Sequence, residues 1–140
     1  MKKYSINNRE GTEKVAQDLV SKLKSKTVIA LIGNLGAGKT VFVKALAKEL
    51  GVKENITSPT FVLMKVYNTK DQNIKKLVHV DCYRLDNKED LIDIGLGDYL
   101  EEDNTLVVIE WADKISHLPD NTLKVKIEVK GEQKRKIIIE

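Results

Sequence analysis

An α/β fold on a mixed parallel and antiparallel sheet is predicted by three features of this 140-residue chain. Two short apolar runs, Thr27 to Ile32 and Thr105 to Ile109, lack alternation and read as strands buried on both faces. The first runs through a Gly-rich loop into a helical pattern, giving a strand–loop–helix unit. Two pairs of strand-like segments flank polar turns and read as antiparallel hairpins.

The elements follow in order. A helix is expected from about Thr12 to Leu23, where Val15, Leu19 and Leu23 repeat at i, i+4 beside Ala16 and Val20. Lys14, Asp18 and Lys22 occupy its other side. After the strand at Thr27 to Ile32 comes a helix from about Lys39 to Leu50, stopped by Gly51. Thr57-Ser58-Pro59-Thr60-Phe61 is a loop signal. Phe61 to Tyr67 and Lys76 to Tyr83 are expected to pair across the turn Asn68 to Asn73, and Lys88 to Ile94 reads as a short helix. The tail offers Leu123 to Val129 and Lys134 to Ile139, joined through Gly131.

One domain spanning residues 1–140 suits this length, since domains peak at roughly 100–150 residues. The chain is 41% hydrophobic and 32% charged, ordinary for a globular protein. Its net charge of +3 is too small to argue for nucleic-acid binding. Cys82 is the sole cysteine, so an internal disulfide is excluded and a reducing setting is expected. The start, Met1 to Asn7, lacks the apolar stretch of a signal peptide. No run approaches the ~20 apolar residues that cross a bilayer. A cytoplasmic protein is expected.

Gly33-Asn34-Leu35-Gly36-Ala37-Gly38-Lys39-Thr40 matches G-x-x-x-x-G-K-[ST], the P-loop. Its glycines let backbone N–H groups approach phosphate oxygens, and the following helix adds its positive end. Lys39 can reach the β- and γ-phosphates of a nucleoside triphosphate, and the Thr40 hydroxyl can bind Mg²⁺. With Gly at about 7% of residues, the four fixed positions match by chance in well under ~1% of chains this long. The expected architecture is accordingly a three-layer sandwich of P-loop NTPase type.

Such an enzyme needs a second group for Mg²⁺, usually an acid ending a neighbouring buried strand. Leu106-Val107-Val108-Ile109-Glu110 has that form, and beside a P-loop the metal role for Glu110 is favoured over a carboxylate merely leaving the sheet for solvent. Asp81 is the other candidate, for the metal or for orienting water. Period-2 geometry puts His79, Asp81 and Tyr83 on one face, with Val78, Val80 and Cys82 on the other. His79 alone reads as a hydrogen-bonded structural histidine; Arg84 could stabilise phosphate charge but reads more readily as a surface or ion-pair residue; and Trp111 is core by default, with a nucleotide neighbour or a partner contact as its alternatives.

Asn87-Lys88-Glu89-Asp90 spells the guanine-reading N-K-x-D, but Arg84, Leu85 and Asp86 separate it from the strand and no D-x-x-G precedes it. A helix start capped by Asn87 fits better. A small-molecule kinase is a rival reading, although its usual Arg-bearing lid is missing from a chain whose arginines are Arg9, Arg84 and Arg135. A nucleotide-dependent interaction module without significant turnover is another, with residues 57–61 placed like a switch.

Four blocks in order resemble the TsaE family, also called YjeE. They are Leu35 to Thr40, Thr57 to Phe61, His79-Val80-Asp81-Cys82-Tyr83-Arg84-Leu85, and Ile109-Glu110-Trp111-Ala112. The resemblance covers nearly the whole chain. It implies a small P-loop ATPase, weak alone, needed for threonylcarbamoyladenosine (t6A) modification of tRNA at adenosine 37. Members bind TsaD and TsaB and support turnover of that complex without transferring the threonylcarbamoyl group; tRNA is met only through the complex. The cofactors implied are ATP and Mg²⁺. Thr40, Glu110 and Asp81 would serve the metal, and Lys39, Asp81 and Glu110 catalysis. Nucleotide contacts would come from Thr12, Gly33, Leu35, Gly36, Ala37, Gly38, Lys39, Thr40, Val41, Thr60 and Arg135. Residues 57–61 and 79–84 would be switches. The chain departs from the family at Asn34, where an acid is usual; as an x of the motif, it leaves phosphate binding intact.

Overall fold

A computed structural model describes residues 1–34, 36–57, 64–82, 95–112 and 118–140. Its elements are β1 (Lys2–Ile6), α1 (Arg9–Val20), β2 (Lys26–Ile32), α2 (Lys39–Glu49), β3 (Met64–Asn68), β4 (Lys76–Asp81), α3 (Leu96–Leu100), β5 (Thr105–Glu110), β6 (Leu123–Val129) and β7 (Arg135–Ile139). The seven strands among the described residues join one sheet in the order β1-β7-β6-β2-β5-β4-β3.

The centre is parallel and the margins antiparallel, as expected. β2 runs parallel to both β5 and β6, and β4 parallel to β5. The hairpins β3–β4 and β6–β7 flank this centre. From β2 the chain passes to the β4 side, and after β5 it returns to β6 on the opposite side. The carboxyl end of β2 therefore lies where the connections diverge, the place at which open α/β sheets take ligands.

Alternation along the central strands builds two cores. Ile29, Leu31, Leu77, Leu106, Val108, Val125, Ile127 and Ile137 face α1 and α2, where Val15, Ala16, Leu19, Phe42, Val43 and Leu46 meet them. Val28, Ala30, Val78, Val80, Val107 and Ile109 face the opposite way, against Leu96 of α3, Cys82 and Ala112. This is the three-layer arrangement expected. No helix among the described residues is long and apolar enough to cross a membrane.

Several boundaries differ from the sequence reading. β1 has no counterpart in it: this five-residue edge strand has inward positions, Tyr4 and Ile6, too few to show a period, and it is defined by pairing with β7. α1 starts and ends three residues early. The Asn8 side chain caps it, accepting from the Gly11 N–H at 2.9 Å. Leu23 still packs on the core, from the turn after the helix. At the end of α2, Gly51 adopts φ +78°. Its N–H donates to the Lys48 carbonyl at 3.1 Å and the Val52 N–H to the Ala47 carbonyl at 3.0 Å, a Schellman motif. α3 carries too short a pattern to be read from sequence. The expected helix at 88–94 and the strand positions 61–63 and 83 lie outside the described residues.

Candidate functional site

The loop after β2 is shaped by three glycines with two distinct reasons. A Cβ on Gly33 would lie 2.9 Å from the Ile127 carbonyl oxygen, so only glycine lets the loop leave the sheet against β6. Gly36 and Gly38 adopt φ of +81° and +103°, which side chains disfavour. The Ala37 N–H donates to the Asn34 carbonyl at 3.0 Å and closes the bend. Gly38 is the N-cap of α2, and among the described residues no side chain caps this end. A helix N-terminus with uncapped amides and a partial positive charge is a seat for an anion.

Lys39, the first residue of α2, is only 6% exposed. Its ammonium donates to the Gly33 carbonyl and lies 3.7 Å from the centre of the Trp111 ring. Trp111 follows Glu110 directly and has φ +58°, a conformation that bulky residues rarely adopt. The residue is half-buried. It packs partly against the α3-side core, and its other role, as a platform for Lys39, revises the expectation of a plain core residue.

The two acids meet at the carboxyl edge. Asp81 ends β4 and Glu110 ends β5; they are register partners, and Glu110 is also paired with Leu31 of β2. Both are buried, at 8% and 4% exposure. Parallel pairing brings the loop root and both carboxylates to one end of the sheet. Glu110 Oε2 lies 2.6 Å from Nε2 of His79, which is fully buried. The sequence places His79 on the face of Asp81 and predicts a hydrogen bond, but it does not name the acceptor. Thr40 and Val41 stand half-buried in the first turn of α2.

Arg135 approaches the loop from β7. Its Nε donates to the Ala37 carbonyl at 3.0 Å and its Nη2 to the Gly36 carbonyl at 3.3 Å. Nη1 donates to the carbonyls of Gly131 and Lys134 at 3.1 and 2.9 Å, so one guanidinium ties the β6–β7 turn to the loop. A hollow of about 210 Å³ opens there, lined by Thr12, Ala37, Gly38, Val41 and Arg135 among others. Helices α1 and α2 and strand β7 thus converge on one side of the loop. A second hollow, of about 450 Å³, is bounded by Asn34, Trp111, Lys126 and Glu128. Leu35 and Thr60, which the sequence reading also places in the site, lie outside the described residues.

The family model described as "Threonylcarbamoyl adenosine biosynthesis protein TsaE" matches residues 6–137. The chain belongs to the TsaE family. Among relatives called "tRNA threonylcarbamoyladenosine biosynthesis protein TsaE", that of Rickettsia felis is 39% identical over 132 residues, covering 93% of this chain and 74% of the relative. That of Treponema pallidum is 41% identical over 118 residues, covering 84% of each. That of Aquifex aeolicus is 38% identical over 141 residues, covering 99% of this chain and 96% of the relative. The fold matches the crystal structure of YdiB from Bacillus subtilis with a TM-score of 0.78 at 32% identity, covering 97% of this chain and 82% of that one. In this TsaE-family chain the expected first switch, 57–61, is described only at Thr57, whose hydroxyl accepts from the Lys65 ammonium. Of the second, His79 to Cys82 are described and fully built into the sheet end.

Proposed function

We propose that this chain binds ATP with Mg²⁺ on the loop 33–40 and hydrolyses it, as the ATPase that supports the TsaD–TsaB complex in forming threonylcarbamoyladenosine on tRNA. The observation that carries this reading is the N-terminus of α2, free of a side-chain cap among the described residues and with Lys39 in its first turn, set at the sheet end where Asp81 and Glu110 are cross-strand partners.

The residues fit a magnesium nucleotide. The amides of the first turn of α2 accept the β- and γ-phosphate charge. Lys39 exchanges the Gly33 carbonyl and the Trp111 ring for phosphate oxygens. The Thr40 hydroxyl and Glu110 hold the metal, with Asp81 beside them to hold or orient water. A bound Mg²⁺ supplies charge neutralisation at the phosphates. The hollow between Thr12, Val41 and Arg135 takes the base. At about 210 Å³ it is smaller than the ~300 Å³ at which whole-ligand pockets begin, so it suits one part of a nucleotide.

Replacing Arg135 by glutamine removes its grip on the Gly36 and Ala37 carbonyls. The expected result is ATP binding weakened about tenfold, equivalent to about 1.4 kcal/mol, measured by calorimetric titration. Affinity equal to the parent chain would remove Arg135 from the site.

Hydrolysis of ATP and of GTP, each with and without TsaD and TsaB, tests the function itself. Slow ATP hydrolysis that rises with both proteins present is the expected outcome. Unchanged hydrolysis would end the accessory role. Phosphate found on an added metabolite rather than in water would identify a kinase, and intact ATP after long incubation would identify a binding module.

A further inference from the structure

His79 has no role in the phosphate chemistry described so far, yet it is fully buried at the heart of the site. Its ring nitrogens are treated unequally. Nε2 lies 2.6 Å from Glu110 Oε2, while Nδ1 is buried and has no hydrogen-bond partner among the described residues. A histidine kept only for core stability is normally satisfied at both nitrogens. Here a carboxylate oxygen on the next strand is the ring's hydrogen-bond partner among the described residues.

The register explains how the contact is made. His79 lies opposite Val108, and Asp81 opposite Glu110. The imidazole therefore reaches diagonally, along the strand direction, to a carboxylate two positions further towards the loop end. A carboxylate oxygen accepts, so a hydrogen bond at this contact takes its hydrogen from Nε2.

We propose that His79 is the positioning residue for Glu110. Its Nε2–H holds Oε2 in one orientation and leaves Oε1 as the oxygen offered to the divalent cation that accompanies the nucleotide. This inference rests on the metal role proposed for Glu110. A single directional N–H is enough to orient the buried carboxylate. Partners of this kind typically change metal affinity or activity by about 10- to 100-fold when removed.

Three measurements test it. In the metal-free protein, nitrogen chemical shifts of the His79 ring should show Nε2 protonated and Nδ1 bare; the reverse tautomer would overturn the proposal without any substitution. Next, Mn²⁺ affinity of the ADP complex is read by electron paramagnetic resonance in His79→Leu and His79→Gln, with ADP affinity in metal-free buffer as control. His79→Leu should bind Mn²⁺ about 10- to 100-fold more weakly, whereas His79→Gln, whose amide restores an N–H donor at similar reach, should stay within about threefold of the parent. Metal-free ADP affinity should be the same in all three. Last, kcat for ATP should follow the Mn²⁺ affinities while KM stays flat. A folded His79→Leu with parental Mn²⁺ affinity and kcat would reduce His79 to a structural role. If that variant does not fold, a folded His79→Gln that binds Mn²⁺ more than tenfold more weakly than the parent would overturn the proposal. Failure of the parent chain to bind Mn²⁺ with any nucleotide is a different result, and would overturn the nucleotide reading on which the proposal rests.

Discussion

Lys39→Ala is expected to weaken ATP binding by about 10- to 100-fold, because charge-assisted hydrogen bonds to the terminal phosphates are worth roughly 1.5–3 kcal/mol. The structure sharpens this figure. The ammonium is not waiting in water: the residue is only 6% exposed, held by the Gly33 carbonyl and the Trp111 ring. Moving to phosphate gives up those contacts, so the net effect belongs below the value for a fully solvated lysine. The same geometry supplies a readout. Trp111 is the only tryptophan in the chain, and nucleotide that draws Lys39 away from its ring should change its fluorescence. In Lys39→Ala the cation is already gone, so the change on nucleotide addition should shrink even at saturating ATP. Parental affinity in this variant, measured by calorimetry, would contradict the phosphate seat.

How much of this is legible in the sequence follows from the range of each signal. The loop is a local code: Gly33 to Thr40 demand particular backbone shapes, and those demands are written in adjacent residues. Buried strands are equally plain, because Thr27 to Ile32 and Thr105 to Ile109 have no polar face to hide. β1 escapes because an edge strand of five residues owes its existence to Ile137 and Ile139 at the far end of the chain. The start of α1 is misplaced because its apolar period begins well after its cap at Asn8.

The site divides in the same way. Glu110 and Asp81 can be nominated as acids ending apolar strands, but their pairing needs the order β2-β5-β4, which no local pattern encodes. The contacts His79–Glu110, Lys39–Trp111 and Arg135 to Gly36 and Ala37 link residues 31, 72 and about 99 positions apart. For His79 the alternation with Asp81 is a usable clue to its face. For Trp111 nothing short of its positive φ signals a residue turned back onto the loop.

Glu110→Gln should separate binding from turnover more sharply than any other change. The amide has nearly the shape of the carboxylate, and its carbonyl oxygen can still accept from His79 Nε2, so the packing at the end of β5 is retained. The backbone bond from the Cys82 N–H to the Glu110 carbonyl, at 3.0 Å, does not involve the side chain. What is lost is negative charge at a position 4% exposed. Relieving a buried charge is neutral or stabilising for the fold, so the melting temperature should hold or rise. Turnover should fall about 100-fold, the typical loss when one charge-stabilising group leaves a catalytic site, while KM for ATP should shift by no more than about threefold, since in the proposed site the phosphates would still rest on the α2 amides and Lys39. Phosphate release across a Mg²⁺ titration is the measurement, with the metal requirement moving to higher concentration. Asp81→Asn in parallel tells the two acids apart: a residue that orients water lowers kcat without moving the Mg²⁺ requirement, whereas a ligand moves both. Turnover equal to the parent in Glu110→Gln would take the metal role from Glu110, and the cross-strand pairing of the two acids would then leave Asp81 as the carboxylate at the sheet end able to carry it.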